Sequence, residues 1–461
     1  MALFGGGIWA RMAGACHSCA CLAGGFAGMI SIPSPALGRF RPDPCAWPAL
    51  PPALRIMTPS GPRSRLPTAL IAMAFMAFIS LGLPDGLPGV TWPFIRETFD
   101  RPLGNLGILL ICGTGGYLFS GLAGGSIVRR TGLGTVLTVS SAAMVVSLAT
   151  YALTPSFYLL IPAAILGGLA SGAIDTGINL YGARRFSPRV MNWLHGSWGL
   201  GATAGPLLMT AAITSGAGWR WGYALIALIL TGMAVMFLVT MRRWEEAKAA
   251  HGDGSGSGIV AIAPFADALR HPVIWLNAAL FMVYCGVEMA AGQWLFTLLT
   301  RQHTIDVGVA GTIAGLYWGA LTFGRLVFGQ VTARVRPLNA LRAGLAIALV
   351  SALLFAWFPT PAIGMAAALG LGFGLAPTFP TLVSLTPVRV GDAIAPHAVG
   401  FQMTAAGAGA TLIPGALGWL AQHLGLIVLP VWLLLGMVLL IGLSEFTERL
   451  VRQRAVLARA A

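Results

Sequence analysis

Charge is what this chain has least of. Only 9% of its 461 residues are Asp, Glu, Lys or Arg, against roughly 25% in soluble domains, which excludes a soluble globular fold. Lys248 is the only lysine, and the acidic residues number 14. No HExxH helix, P-loop or paired Cys–His cluster is present, so metal-assisted hydrolysis and ATP-driven work have no motif to rest on. The seven histidines are scattered and the longest internal loop, 241–272, is short; this disfavours both a membrane enzyme and a sensor with a soluble domain. Cysteine is also sparse. Cys112 and Cys285 sit in apolar runs as packing residues. Cys16, Cys19 and Cys21 crowd His17 near the N-terminus without a second cluster, so no metal and no cofactor are expected.

What the sequence has in abundance is apolar length. Hydrophobic residues make up 57% of the chain, mean hydropathy is +0.81, and runs of about 20 apolar residues recur, each enough to cross a bilayer as a helix. The expected fold is an all-α polytopic membrane protein. Its twelve spans fall at 66–90, 104–128, 135–153, 157–182, 193–215 and 220–240, then 273–299, 308–331, 339–358, 361–386, 397–421 and 424–443. Residues 1–65, with the proline-rich SIPSPALGRFRPDPCAWPALPPA, fit a signal peptide poorly and read as a disordered extension. A six-helix bundle at 66–240, a linker at 241–272 containing HGDGSGSG, a second bundle at 273–443 and a tail at 444–461 complete the expected organisation.

The net charge of +14 reflects topology rather than nucleic-acid binding, because the arginines lie between apolar runs and form no basic face interleaved with aromatics. Arg63, Arg65, Arg129, Arg130, Arg184, Arg185, Arg189, Arg242, Arg243, Arg270, Arg334, Arg336, Arg389 and the tail arginines fall on one side. Only Arg96, Arg101, Arg220 and Arg301 fall on the other. The positive-inside rule then predicts that both termini are cytoplasmic.

The halves echo one another: GSIVRRTG at 125–132 corresponds to GQVTARVR at 329–336, and the same offset carries Asp175 onto Phe379. Such repetition marks transporters whose site lies between the repeats. Charge inside a bilayer costs several kcal/mol and marks function, and here it is confined to Asp85, Asp175, Glu288 and Arg325, with His195 near one end of span five. In GLASGAIDTGINLYG (168–182), Asp175 and Asn179 stand one helical turn apart and share a face. Burial favours the neutral form of a carboxyl, so a cavity-lining Asp can exchange protons. Glu288, in YCGVEMAAGQW, reads the same way, and Gln293 need not share its face. LGLPDGLPG around Asp85 is turn chemistry, which either ends span one or breaks it within the membrane. Arg325 is expected to snorkel or gate; a helical rise of 1.5 Å per residue puts it about 13 Å from Glu288, too far to pair without tilt. Gly121–Gly125 and Gly201–Gly205 have the spacing of close helix packing.

These residues resemble the major facilitator superfamily, and within it the fucose–galactose–glucose:proton symporter group, over about residues 66–443. The carriers are Asp175-x-x-x-Asn179, the Asn192, His195 and Gly199 set, TFPTLVSL (378–385) and GFQMTAAGAGATLIPGALG. The resemblance implies that Asp85 and Asp175 act in protonation and sugar binding, with Asn179 and His195 as substrate contacts. From their own placement Glu288 is expected as a further coupling acid, Gln293 and Gln402 as further substrate contacts, and Arg129, Arg130 and Arg325 as gating or structural groups. Arg129 stands where the superfamily loop has an acid and Ala333 replaces it in the second copy; Glu288 stands where the group has a neutral amide. The expected activity is proton-coupled uptake of a small solute, a sugar first, across the inner membrane by a monomer. A proton-driven exporter of drugs or metabolites is the alternative on the same fold. The expected partners are solute, protons and the bilayer, with no nucleic acid.

Overall fold

The computed structural model describes residues 68–249 and 264–460, apart from Ser187 and Ala333. Residues 1–67, with the four N-terminal cysteines, and the glycine-rich part of the linker lie outside the described residues, as do the Asn192 and Ala333 side chains.

Twelve long helical segments cross the fold. Span one is Thr68–Asp85 continued by Leu87–Thr98, span two Leu106–Thr131, span three Leu133–Leu153, span four Phe157–Arg185, span five Pro188–Thr214 and span six Trp219–Ala249. Span seven is Pro272–Thr297, span eight Val307–Val331 and span nine Pro337–Trp357. Span ten is Pro361–Leu375 continued by Thr378–Val390, span eleven Ala395–Leu424 and span twelve Val428–Ala460. Ten of the spans are apolar and long enough to cross a membrane by composition; five and eleven are the other two. Those two pack across the midline, five on eight and eleven on two.

The packing follows the repeat. One packs on five, two on four and three on six; the second half repeats this as seven on eleven, eight on ten and nine on twelve. The two ends of the molecule differ. The Arg-rich end carries the turns at Gly132, Phe186, 332–336 and 391–394. The far end carries those at 99–105, 154–156, 215–218, 303–306, 358–360 and 425–427. Polar joins between the halves lie from mid-span to the far end: Gln293 Nε2 to the Asp85 carbonyl at 3.2 Å, Gly104 N to Gln422 Oε1 at 3.2 Å, and Arg301 to Glu97 at 3.6 Å. Backbones also close there, since a Cβ on Gly107 would lie 2.8 Å from the Gly415 Cα. Toward the Arg-rich end, span four packs mainly on spans two and three, and the second segment of span ten packs on spans seven, nine and eleven of its own half.

Two sequence boundaries are corrected. Span one does not end near residue 90 but runs to Thr98, so Asp85 sits inside the span at a break, with Gly86 as the turn residue. Pro88 supplies no N–H to the turn before it, and Pro84 precedes the bend; these open the helix without ending it. Span seven likewise continues through a π-turn at Leu298–Gln302.

Candidate functional site

The Asp175 carboxylate is gripped on both oxygens. The Tyr117 hydroxyl donates to Oδ2 at 2.6 Å and Asn179 Nδ2 donates to Oδ1 at 2.8 Å. The i,i+4 spacing delivers Asn179 by helical geometry, whereas Tyr117 arrives from span two. That arrival depends on Gly172, where a Cβ would overlap the Tyr117 carbonyl; its absence lets spans two and four touch backbone to backbone.

Asp85 is held from span five, where Trp198 Nε1 donates to Oδ2 at 2.7 Å. Gly82 makes this possible, because any Cβ there would strike the Trp198 carbonyl. Gly201 and Gly205 press against span one in the same way, as their spacing suggested, while on span two it is Gly124 rather than Gly125 that meets span four, at Thr176. Asp85 and Asp175 lie within electrostatic range of each other, and His195 within range of both Asp175 and Arg325. His195 is exposed and meets the Phe78 ring edge-on at 5.1 Å.

The second half supplies the opposite wall. Arg325 Nη2 lies 3.9 Å from Glu288 Oε1, which corrects the expectation that the two were too far apart to pair. Counted back from their shared far-end turn, Glu288 is 14 residues from Gln302 and Arg325 is 18 from Val307. That difference of four residues is about 6 Å at 1.5 Å per residue, within reach of an arginine side chain. Counting from the Arg-rich end misleads because the two spans do not stop at one level. Tyr284 donates to Glu288 Oε2 and Tyr317 to the Glu288 backbone carbonyl at 2.9 Å. The Arg325 guanidinium also lies 5.5 Å over the Trp198 ring, a cation–π contact. One chain of contacts therefore crosses the midline from Asp85 through Trp198 and Arg325 to Glu288 and Tyr284. The repeat-related position of Asp175, Phe379, is aromatic and packs on Phe281 and Tyr284.

Two expected solute contacts fall elsewhere in this conformation. Gln402 is fully buried inside the second half, donating to Thr386 Oγ1 at 2.8 Å, which donates in turn to the Leu382 carbonyl. Gln293 is 1% exposed and joins the halves at the carbonyl that the span-one break frees. The Gln402 amide is paired within a helix–helix seam, whereas Gln293 pairs through Nε2 alone and its Oε1 is buried without a partner. Arg129 and Arg130 are exposed at the Arg-rich end of span two, with Arg129 donating to Ser126 at 3.1 Å. Sequence reasoning missed Tyr117, Trp198, Tyr284 and Tyr317. The only signal available was that a Tyr or Trp in an apolar run carries one donor that must find an acceptor.

The sequence profile described as Major Facilitator Superfamily matches residues 68–414. The chain belongs to that superfamily of membrane transporters. It is 22% identical over 387 residues to the glucose/mannose transporter GlcP of Bacillus subtilis (strain 168), covering 83% of this chain and 95% of that protein. It is 22% identical over 283 residues to the mouse (Mus musculus) sodium-dependent glucose transporter 1A, covering 53% and 64%. Among solved structures, a bacterial homologue of the human lysosomal transporter Spinster, inward-facing and unoccupied, superposes with TM-score 0.66 at 14% identity, covering 84% and 97%. The E. coli fucose:proton symporter FucP superposes with TM-score 0.55 at 14% identity, covering 82% and 98%. These structural likenesses establish the fold, twelve helices in two pseudo-symmetric halves.

Proposed function

We infer that this superfamily member takes up a small sugar together with protons by alternating access, with both termini cytoplasmic in an inner membrane. The observation that carries the reading is the charge balance of the central site. Asp85, Asp175 and Glu288 converge there with one arginine, Arg325. Three carboxylates and one guanidinium at a poorly solvated site leave an excess of negative charge that proton binding relieves. Asp175, Asn179, Tyr117 and His195 offer the acceptors and donors that hydroxyl groups need. The names of the relatives, a glucose/mannose transporter and a fucose:proton symporter, support a sugar as solute.

The far-end joins, together with the exposure of Tyr117 and His195 at the central site, fit an inward-facing state. Protonation of Asp85 and Asp175 would remove the charge that opposes closure around the solute, and rocking of the halves would then break the far-end joins. Proteoliposomes holding a pH dye, tested with a panel of hexoses, check this directly. Asp175→Asn is expected to abolish accumulation driven by a proton gradient while preserving solute counterflow. Undiminished accumulation by that variant, or sugar entry without proton entry in the wild type, overturns the coupling.

A further inference from the structure

The far end of the molecule holds a second cavity, separate from the central site and of about 540 Å³, within the range of small-molecule sites. Both halves build it. Arg96, Glu97 and Arg101 come from the end of span one and the turn after it; Thr297, Arg301 and Gln422 come from spans seven and eleven. It sits outside the seam made by Gly104 against Gln422 and by Gly107 against Gly415.

Three features separate this cavity from an ordinary charged rim. Thr297 lines it with a side chain only 2% exposed, and its buried hydroxyl has no hydrogen-bond partner. A buried hydroxyl left unpaired at the edge of a cavity needs only a small movement to meet a ligand or a water there. Arg101 is held by cation–π contacts, 5.0 Å over Tyr158 and 5.5 Å over Phe157, and its Nε is likewise buried without a partner. The turn that presents it is strained: Asp100 adopts a left-handed φ of 51°, which is uncommon for a residue with a side chain. The lining holds Arg96, Arg101 and Arg301 against Glu97 and Asp100, a formal excess of one positive charge. The Arg301–Glu97 pair, 3.6 Å apart and largely solvated, is weak enough for an anion to compete for its guanidinium.

We propose that this vestibule is a second binding site, for a monosaccharide-sized solute bearing one carboxylate, and that its occupancy holds the far end closed. Guanidinium forks match a planar carboxylate, and one net positive charge suits a monoanion better than a neutral sugar or a dianion. Gln422, whose Oε1 already accepts from Gly104 N, offers its amide N–H groups to hydroxyls. Because the walls belong to different halves, opening the far end dismantles the site. A ligand that binds only the closed state stabilises that state by RT ln(1 + [L]/Kd), so ten times Kd multiplies the closed population relative to the open about elevenfold. External carboxylated solute therefore acts as an inhibitor of uptake at a site distinct from the transported sugar's.

The test uses purified full-length protein in detergent with gluconate as probe, glucose as its neutral counterpart and chloride as the salt control. Far-end closure is read from disulfide formation between Gly104→Cys and Trp419→Cys in a background lacking the native cysteines; a Cβ at Gly104 would lie 3.2 Å from the Trp419 Cα, so the two positions adjoin only when the far end is shut. Gluconate at ten times its Kd is expected to multiply the closed-to-open ratio derived from the cross-linking rates about elevenfold over glucose at equal ionic strength. Arg96→Gln with Arg301→Gln should remove the effect, and excess glucose should leave it intact. Equal rates with gluconate, glucose and chloride overturn the proposal, as does an effect that survives loss of the two arginines. An effect that excess glucose competes away assigns the response to the central site and also overturns it. The comparison of gluconate with glucose and chloride is made within the one double-cysteine protein and does not depend on the arginine variants folding, and none of these readings requires that the chain transport sugar.

Discussion

Tyr117→Phe removes one oxygen from the central site and leaves the ring that packs beside it. In the wild type, Asp175 Oδ2 accepts its 2.6 Å hydrogen bond from the Tyr117 hydroxyl, while Oδ1 accepts from Asn179. Hydrogen bonds to a charged group are worth about 1.5–3 kcal/mol, so the ionised form of Asp175 loses about that much relative to the protonated form. At 1.4 kcal/mol per factor of ten, proton release becomes roughly ten- to hundredfold less favourable. A transport cycle that must empty its proton on the inner side slows accordingly, whereas solute counterflow, which needs no proton release, continues. Initial rates of gradient-driven accumulation and of counterflow, measured on the same proteoliposomes, separate the two. Because the phenyl ring remains, thermal stability should change little. Accumulation within twofold of wild type would refute the claim that Asp175 cycles its proton against Tyr117.

Gly172→Leu would drive a side chain into the Tyr117 carbonyl; overpacking costs about 1–3 kcal/mol, visible as a lower melting temperature in detergent together with lost transport. Gln293→Leu removes the only polar join found here between span seven and the span-one break; a net loss of about 0.5–1.5 kcal/mol should slow the Gly104–Trp419 disulfide assay roughly two- to tenfold. Arg389 is 2% exposed, 2.6 Å from Glu448 and 2.8 Å from Asn277 Oδ1. Replacing it by Leu leaves the partly buried Glu448 carboxylate and the buried Asn277 amide oxygen unpaired at a cost of about 1–3 kcal/mol, to be read as a lower melting temperature in detergent.

The central site was only partly legible in the sequence. Asp175 with Asn179 is a local feature, one turn of one helix, and its geometry follows from helical spacing alone. Glu288 and Asp85 stood out because a carboxyl in an apolar run is rare. Their partners did not, since Tyr117, Trp198 and Tyr284 look like the other aromatics of a membrane helix until a neighbouring helix brings an acceptor to the polar tip. Arg325 was placed wrongly for a related reason: depth counted along one helix carries no information about where its neighbour ends. Gln293 and Gln402 show the converse, since an amide in a span can serve a helix seam as readily as a solute.

Hydropathy, charge placement and repetition by themselves determined the twelve spans, the two halves and the intramembrane charges, because the cost of burying charge or unpaired backbone in hydrocarbon acts on each helix separately. Tertiary structure alone decided which charges meet. The glycines that let spans one and five, and spans two and four, approach to backbone contact set those distances, and the far-end closure that builds the vestibule exists only when two halves distant in sequence are packed together.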